Sequence, residues 1–463
     1  MLKILLLSAA APALAGFLTP LFLKQYDLHL ARLRLRTPGL TAPPAQYFNQ
    51  TTDHFDVTGL EPEWPQRFWV NQSLWKEGGP VFLYLEGEAA GSAYSVVEGE
   101  HVELAATYGA LLVSLEHRFY GASVPTDSLS TASMRFLSSH QALADIARFH
   151  ADYLVPTFNL TKANKLATFG GSYPGALSAW ARLRLPHIVH AAISTSSPVQ
   201  ASFDDVSYNN VVSASLAYPL VGGSAACLSA TSQAFQAIDA AFSGSAAQRH
   251  AMAAKLMSCT GLDGQNDTMW AASNYGGLVQ GLVQYNLEGS AFSIAQYCAA
   301  LTQPGVAPID GFAAVIKATQ GSACVDNSYS DYLAQLRDTR VNRGAGGLGL
   351  RQWTWQCCTQ FSYWQDCDAA SQCPLSKAFM TLDSNTQQCQ DAFGPQISRA
   401  LNAQRTAFSN AYTGGAAIQS QNIVFVNGNV DPWHALSVCN ATEENGPRVS
   451  SVLIDGTAHC RNM

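Results

Sequence analysis

The chain has 463 residues, of which 48% are hydrophobic and 13% charged, with a formal net charge of −7. A chain of this length buries a sizeable core in one elaborated domain or two, and so few charges exclude long disordered tails. The acidic balance lacks the basic footprint of a nucleic-acid binder and suits a soluble protein of a neutral or acidic compartment.

In chain order, Met1 to Ala15 carry Lys3, an apolar run and Ala13-Leu14-Ala15, the small-x-small form of a signal-peptide cleavage site. Apolar residues resume at Phe17 and Leu21, but Pro12 and Pro20 break the ~20 apolar residues that a membrane helix needs. Residues 1–15 therefore read as a cleaved signal peptide, and no stable membrane span is expected. Residues 16–45, with Lys24, Arg32, Arg34 and Arg36, read as an N-terminal arm, which is a flexible segment, a removable propeptide or a solvated linker.

Residues 81–85 and 111–115 are strand-like, residues 139–153 helical, and Lys165-Leu166-Ala167-Thr168-Phe169 a short buried strand. Next comes Gly170-Gly171-Ser172-Tyr173-Pro174-Gly175, then the helical run from Ala176. A serine on a sharp strand-to-helix turn among glycines is the nucleophile elbow of an α/β-hydrolase. Pro174 stands where that pattern has glycine, and proline is tolerated in the first turn of a helix. Residues 191–196 form the next strand. From about Ser202 to Gln390 the chain is rich in Ala, Ser, Gln and Cys, with helical periodicity and no clear strand.

Two more strands close the chain. Residues 422–426 lead into Asn427-Gly428-Asn429-Val430-Asp431-Pro432-Trp433-His434, and residues 451–454 lead into Asp455-Gly456-Thr457-Ala458-His459. Ser172, Asp431 and His459 thus follow in the chain order of the α/β-hydrolase triad, each past the carboxyl end of a strand. The three types suit acyl transfer: a hydroxyl attacks, an imidazole takes its proton, and a carboxylate steadies the imidazolium. Tyr173, next to the nucleophile, is the expected source of one oxyanion-hole N–H, and Gly87 or Glu88 of the other. Glu88 is also a candidate to receive a substrate's free amine, against a plain role as a solvated loop acid. Trp433 is a candidate wall for the residue before the scissile bond, its indole area suiting a proline ring, against a plain place packed in the core. His117 and His434 compete with His459, and Asp455 with Asp431. His434 is too near Asp431 to come from a separate loop, and Asp455 more naturally ends its strand.

The alternation predicts an α/β fold: an α/β-hydrolase core from residues 46–201 and 391–463, with residues 202–390 as an inserted helical cap. Eleven cysteines, clustered between Cys227 and Cys389, point to a disulfide-bearing insertion and an oxidising compartment. Their odd number leaves at least one free thiol, with Cys460 the first candidate. Asn49, Asn71, Asn159, Asn266 and Asn440 each begin an Asn-x-Ser/Thr sequon, all placed outside expected strand interiors. No His-Glu-x-x-His spacing and no glycine-rich nucleotide loop occurs, so neither a metal nor a cofactor is implied.

Several further stretches carry a family resemblance. They are Tyr47-Phe48-Asn49-Gln50-Thr51-Thr52-Asp53-His54-Phe55, the run from Gly79 to Glu88, Glu116-His117-Arg118-Phe119-Tyr120-Gly121 and the run from Met134 to Asp145. With the elbow, the turn at Asp431 and Gly456-Thr457-Ala458-His459-Cys460, the chain resembles the lysosomal Pro-X carboxypeptidase and dipeptidyl peptidase II family, on its thymus-specific serine protease-like branch. The resemblance implies a secreted or lysosomal/vacuolar serine exopeptidase acting on peptides, often after proline, and leaves a homodimer open. Two departures stand out. Ala176 occupies a position where some relatives place methionine against the pocket, which implies a roomier site. The chain also stops at Met463, where relatives continue into a terminal helix, so a truncated second core segment is expected. Other classes remain as alternatives: a catalytically silent, substrate-binding relative, or an esterase or lipase on the same fold.

Overall fold

Short apolar runs bounded by turn residues become the strands. The computed structural model describes residues 19–24, 41–60, 62–343 and 349–463; the signal peptide read at residues 1–15 lies outside them, as do Arg32, Arg34 and Arg36. The strands are β1 (Gln46–Thr51), β2 (Glu63–Asn71), β3 (Val81–Leu85), β4 (Leu111–Leu115), β5 (Leu166–Gly171), β6 (Val189–Thr195), β7 (Ile423–Gly428) and β8 (Val449–Ile454). They form one sheet in the order β1-β2-β4-β3-β5-β6-β7-β8. The β1–β2 and β2–β4 pairs are antiparallel and the remainder parallel, which is the α/β-hydrolase sheet. Its centre is covered on both faces, as parallel strands require, and β4 is buried along its whole length.

The helices that flank the first half include α1 (Glu100–Tyr108), α2 (Ser139–Phe149) and α3 (Tyr173–Arg184). Ser138 begins α2 by accepting from Gln141 N–H, satisfying a donor that the first turn would leave bare. Between β6 and β7 the described chain adds no strand to the sheet and builds a helical insertion. Its members include α4 (Val206–Leu216), α5 (Ala225–Phe242), α6 (Gln265–Gln284) and α7 (Leu350–Gln356), and α8 (Arg399–Thr413) leads back to the sheet. Four disulfides lie within it: Cys227–Cys298, Cys259–Cys324, Cys358–Cys389 and Cys367–Cys373. Cys357, Cys439 and Cys460 are free.

α6 is the spine of this insertion, buried from Trp270 to its end. Residues 19–24 dock on it: Leu21 and Phe22 are buried, and Leu21 N–H donates to Asn274 Oδ1 at 3.0 Å. Gly277 permits the approach, since a Cβ there would stand 2.2 Å from Thr19 Oγ1. These six residues of the N-terminal arm are therefore packed, which corrects the expectation of a flexible or solvated segment at this point.

Asn49, Asn159, Asn266 and Asn440 are exposed. Asn49 nevertheless lies within β1 and Asn71 ends β2, against the expected placement outside strands. β1 is the sheet's edge, so Asn49 can stand in a strand and still meet water. Asn71 is half-buried, and its Nδ2 donates to Val96 O at 2.7 Å.

Candidate active site

β5 ends at Gly171, and Ser172 bridges to α3 with φ 63° and ψ −131°, a region that a residue with a Cβ occupies only under strain. Ser172 N–H donates to Thr195 O at 2.8 Å, tying the turn to the end of β6. Two glycines let strand and helix meet: a Cβ on Gly170 would lie 2.4 Å from Pro174 O, and one on Gly175 2.8 Å from Thr195 O. Pro174 fits as foreseen, in the first turn of α3 where no N–H is missed.

Asp431 follows β7. Its Oδ1 accepts Trp433 N–H at 3.0 Å, which points Oδ2 to His459 Nδ1 at 2.9 Å. Asp431, His459 and Ser172 have no exposed surface. Burial disfavours the imidazolium, but the Asp431 carboxylate and Cys460 together outweigh it and raise the pKa of His459 above the ordinary histidine value. His459 Nε2 is buried without a hydrogen-bond partner among the described residues, so the serine and histidine are not hydrogen-bonded in this conformation. Such contacts often tighten only when substrate binds.

The histidine loop is held on both sides. His459 N–H donates to the carbonyl of Gln284, the last residue of α6, and Cys460 N–H donates to Ser196 Oγ at 2.9 Å. A Cβ on Gly171 would lie 2.9 Å from Cys460 Sγ, so this loop sits directly on the residue before Ser172. All three triad candidates thus share one edge of the sheet. A hollow of about 550 Å³ lies at the opposite strand ends, beside Arg182, Gln421 and Glu444, and no triad candidate lines it.

The rival residues are occupied elsewhere. His434 Nδ1 bonds the Asp431 carbonyl at 2.7 Å, and exposed Asp455 accepts from Tyr218 and Asn429. His117 Nδ1–H donates to Arg118 O, so its Nε2 accepts the Tyr173 hydroxyl at 2.9 Å. Burial lowers the His117 pKa to about 4, which keeps the ring neutral.

Around the elbow, Tyr173 and Ala176 are fully buried. Gly87 packs on Pro174, where a Cβ would meet the ring Cγ at 2.4 Å. Glu88 is buried, which corrects its reading as a solvated loop acid. Trp433 is enclosed by Tyr208 and Tyr363 and donates from Nε1 to Gln284 Oε1 at 3.0 Å. Two insertion residues that sequence reasoning passed over organise these groups. Gln284 also accepts the Tyr208 hydroxyl at 2.7 Å, and Gln356 Nε2 donates to Tyr173 Oη at 3.1 Å. No local signal marks them: each is the last residue of its helix, and both helices carry other amides, such as Gln280 in α6 and Gln352 in α7. Among the described residues, no group of three His, Cys, Asp or Glu is placed to hold a metal ion, and no helix is long and apolar enough to cross a membrane.

The family model described as serine carboxypeptidase S28 matches residues 50–463. The chain belongs to that family. It is a serine peptidase. It is 37% identical to the thymus-specific serine protease of Homo sapiens over 92% of this chain and 83% of that protein, and 36% identical to the Mus musculus counterpart over the same shares. The lysosomal Pro-X carboxypeptidase of Homo sapiens is 27% identical over 99% of this chain and 91% of that protein.

Proposed function

We propose that the chain is a serine exopeptidase of the secretory or lysosomal route that cleaves short peptides near proline or another apolar residue. Ser172 Oγ attacks the scissile carbonyl while His459 Nε2 takes the hydroxyl proton, and Asp431 fixes the ring and steadies its positive charge. The oxyanion of the tetrahedral intermediate is held by the N–H of Tyr173, which as the first residue of α3 has no intrahelical acceptor, and by an N–H of the Gly87–Glu88 loop. The imidazolium then protonates the leaving amine, and water releases the acyl group by the reverse proton path. The observation that carries this reading is the buried Asp431–His459 pair at the sheet edge where the strained serine sits.

Support for the compartment comes from four disulfides in the insertion and from four exposed sequons. Support for apolar selectivity comes from Trp433, from Ala176 and from the Pro-X name of one relative. A triad without exposed surface also suits a catalytically silent relative. A peptide-library digest read by mass spectrometry at acidic and neutral pH separates the two. Cleavage lost in Ser172→Ala supports the enzyme, and an untouched library supports the silent relative.

A further inference from the structure

The loop after β3 carries a carboxyl that the triad does not use. Glu88 has no exposed surface, and neither of its carboxyl oxygens has a hydrogen-bond partner among the described residues. Two other buried acids, Glu86 and Glu116, are different. Glu86 accepts from Ser114 Oγ at 2.7 Å, and Glu116 accepts from Ser123 Oγ at 2.6 Å, from Gly91 N–H at 2.8 Å and from Arg67. A buried polar group left bare is destabilising, and more so when charged. Burial drives the pKa of Glu88 well above the usual carboxylate range, with His459 drawing it back, so its surroundings favour the protonated carboxyl.

Its place is the active site. Gly87 abuts Pro174 of the elbow, and Glu88 O accepts Gly349 N–H at 3.0 Å. The side chains within its electrostatic reach include His459, Tyr84, Tyr120, Tyr173 and Cys357. None of them hydrogen-bonds the carboxyl, and among the described residues no arginine or lysine does so either.

We propose that Glu88 anchors the free α-amino group of the peptide substrate, so that this enzyme trims short peptides from their amino end. The proposal rests on the triad reading above. A peptide ammonium supplies the donors and the charge that both carboxyl oxygens lack. A C-terminal carboxylate would meet at most one donated O–H, and repulsion once that proton left. The protons balance on binding: an ammonium displaces the Glu88 proton to water, whereas a neutral amine takes it, and in each case carboxylate faces ammonium. No covalent bond to carbon changes.

The test uses one peptide sequence without Lys, Arg or His, in four forms: free, N-acetylated, C-amidated and blocked at both ends. kcat/KM is measured on the wild-type chain, Glu88→Gln and Glu88→Asp, and each protein is also titrated with a fluorophosphonate. N-acetylation should cost the wild type about 10²-fold or more, the scale of losing one partner of a buried charge pair, and C-amidation under about threefold. Glu88→Gln should cleave free and acetylated forms within about threefold of each other, while Glu88→Asp keeps a reduced preference. Indifference of the wild type to N-acetylation, a penalty for C-amidation instead, or full discrimination in Glu88→Gln would overturn the proposal. The wild-type arm decides even if a variant does not fold. A wild type that discriminates by end while Ser172 stays unlabelled would sink the triad reading and leave the Glu88 result standing.

Discussion

Replacing Asp431 by Asn removes a charge while keeping the shape of the side chain. The carboxylate sits 2.9 Å from His459 Nδ1, and both groups are fully buried, so solvent screens little of the interaction. Loss of the orienting carboxylate in a triad costs about 10⁴-fold in turnover, or about 5.4 kcal/mol at 1.36 kcal/mol per tenfold. The sign of the pH effect follows from the same contact. Asp431 raises the His459 pKa by favouring the imidazolium, so its removal lets the ring lose its proton at lower pH. The base form is the active one, hence the acidic limb of kcat/KM against pH should move down while the plateau falls. The assay is that profile for wild type, Asp431→Asn and Asp455→Asn, with near-ultraviolet circular dichroism to verify folding. A limb that moves to higher pH, activity within tenfold of wild type, or greater damage from Asp455→Asn would refute the assignment.

Gly170→Ala drives a Cβ to within 2.4 Å of Pro174 O, and overpacking of this kind should lower stability by about 1–3 kcal/mol in denaturant titration; an unchanged midpoint would contradict the close-approach reading. Gln284→Ala leaves the Trp433 N–H and the Tyr208 hydroxyl without their acceptor, so a loss of roughly 2–5 kcal/mol is expected, read as a lower Tm. Replacing both Cys227 and Cys298 by Ser opens a link of sequence separation 71, and the chain-entropy scale puts the cost at about 4 kcal/mol, measured by denaturant unfolding under oxidising conditions. Equal stability of the two proteins would show that the insertion does not depend on that link.

The parallel strands and the elbow were legible because each strand carries a short apolar run, and β5, β7 and β8 run into glycine turns, a local pattern. Asp431 and His459 were legible for the same reason, since each sits where such a strand ends. β2 was not, because its inward positions include Gln66, whose Nε2 donates to Glu116 O at 2.8 Å. A buried glutamine interrupts the apolar alternation by which a strand is recognised. The packing of residues 19–24 was equally hidden. Leu21 meets Asn274 across 253 positions, and no local period reports so distant a contact. Glu88 shows the same limit in the site itself: as one acid in a glycine-bearing loop it reads as solvated, and only the elbow and the insertion closing over it make it buried. The roles of Gln284 and Gln356 likewise exist only once the insertion meets the sheet.

The central claim is that Ser172 is the nucleophile of a working triad, and covalent labelling tests it most directly. The full chain is treated with a fluorophosphonate, digested, and mapped by mass spectrometry, with Ser172→Ala alongside. One phosphonylated residue, Ser172, with no label and no peptide turnover in the variant, is the predicted result. A label on another residue, or a Ser172→Ala protein that still cleaves peptides at the wild-type rate, would contradict it.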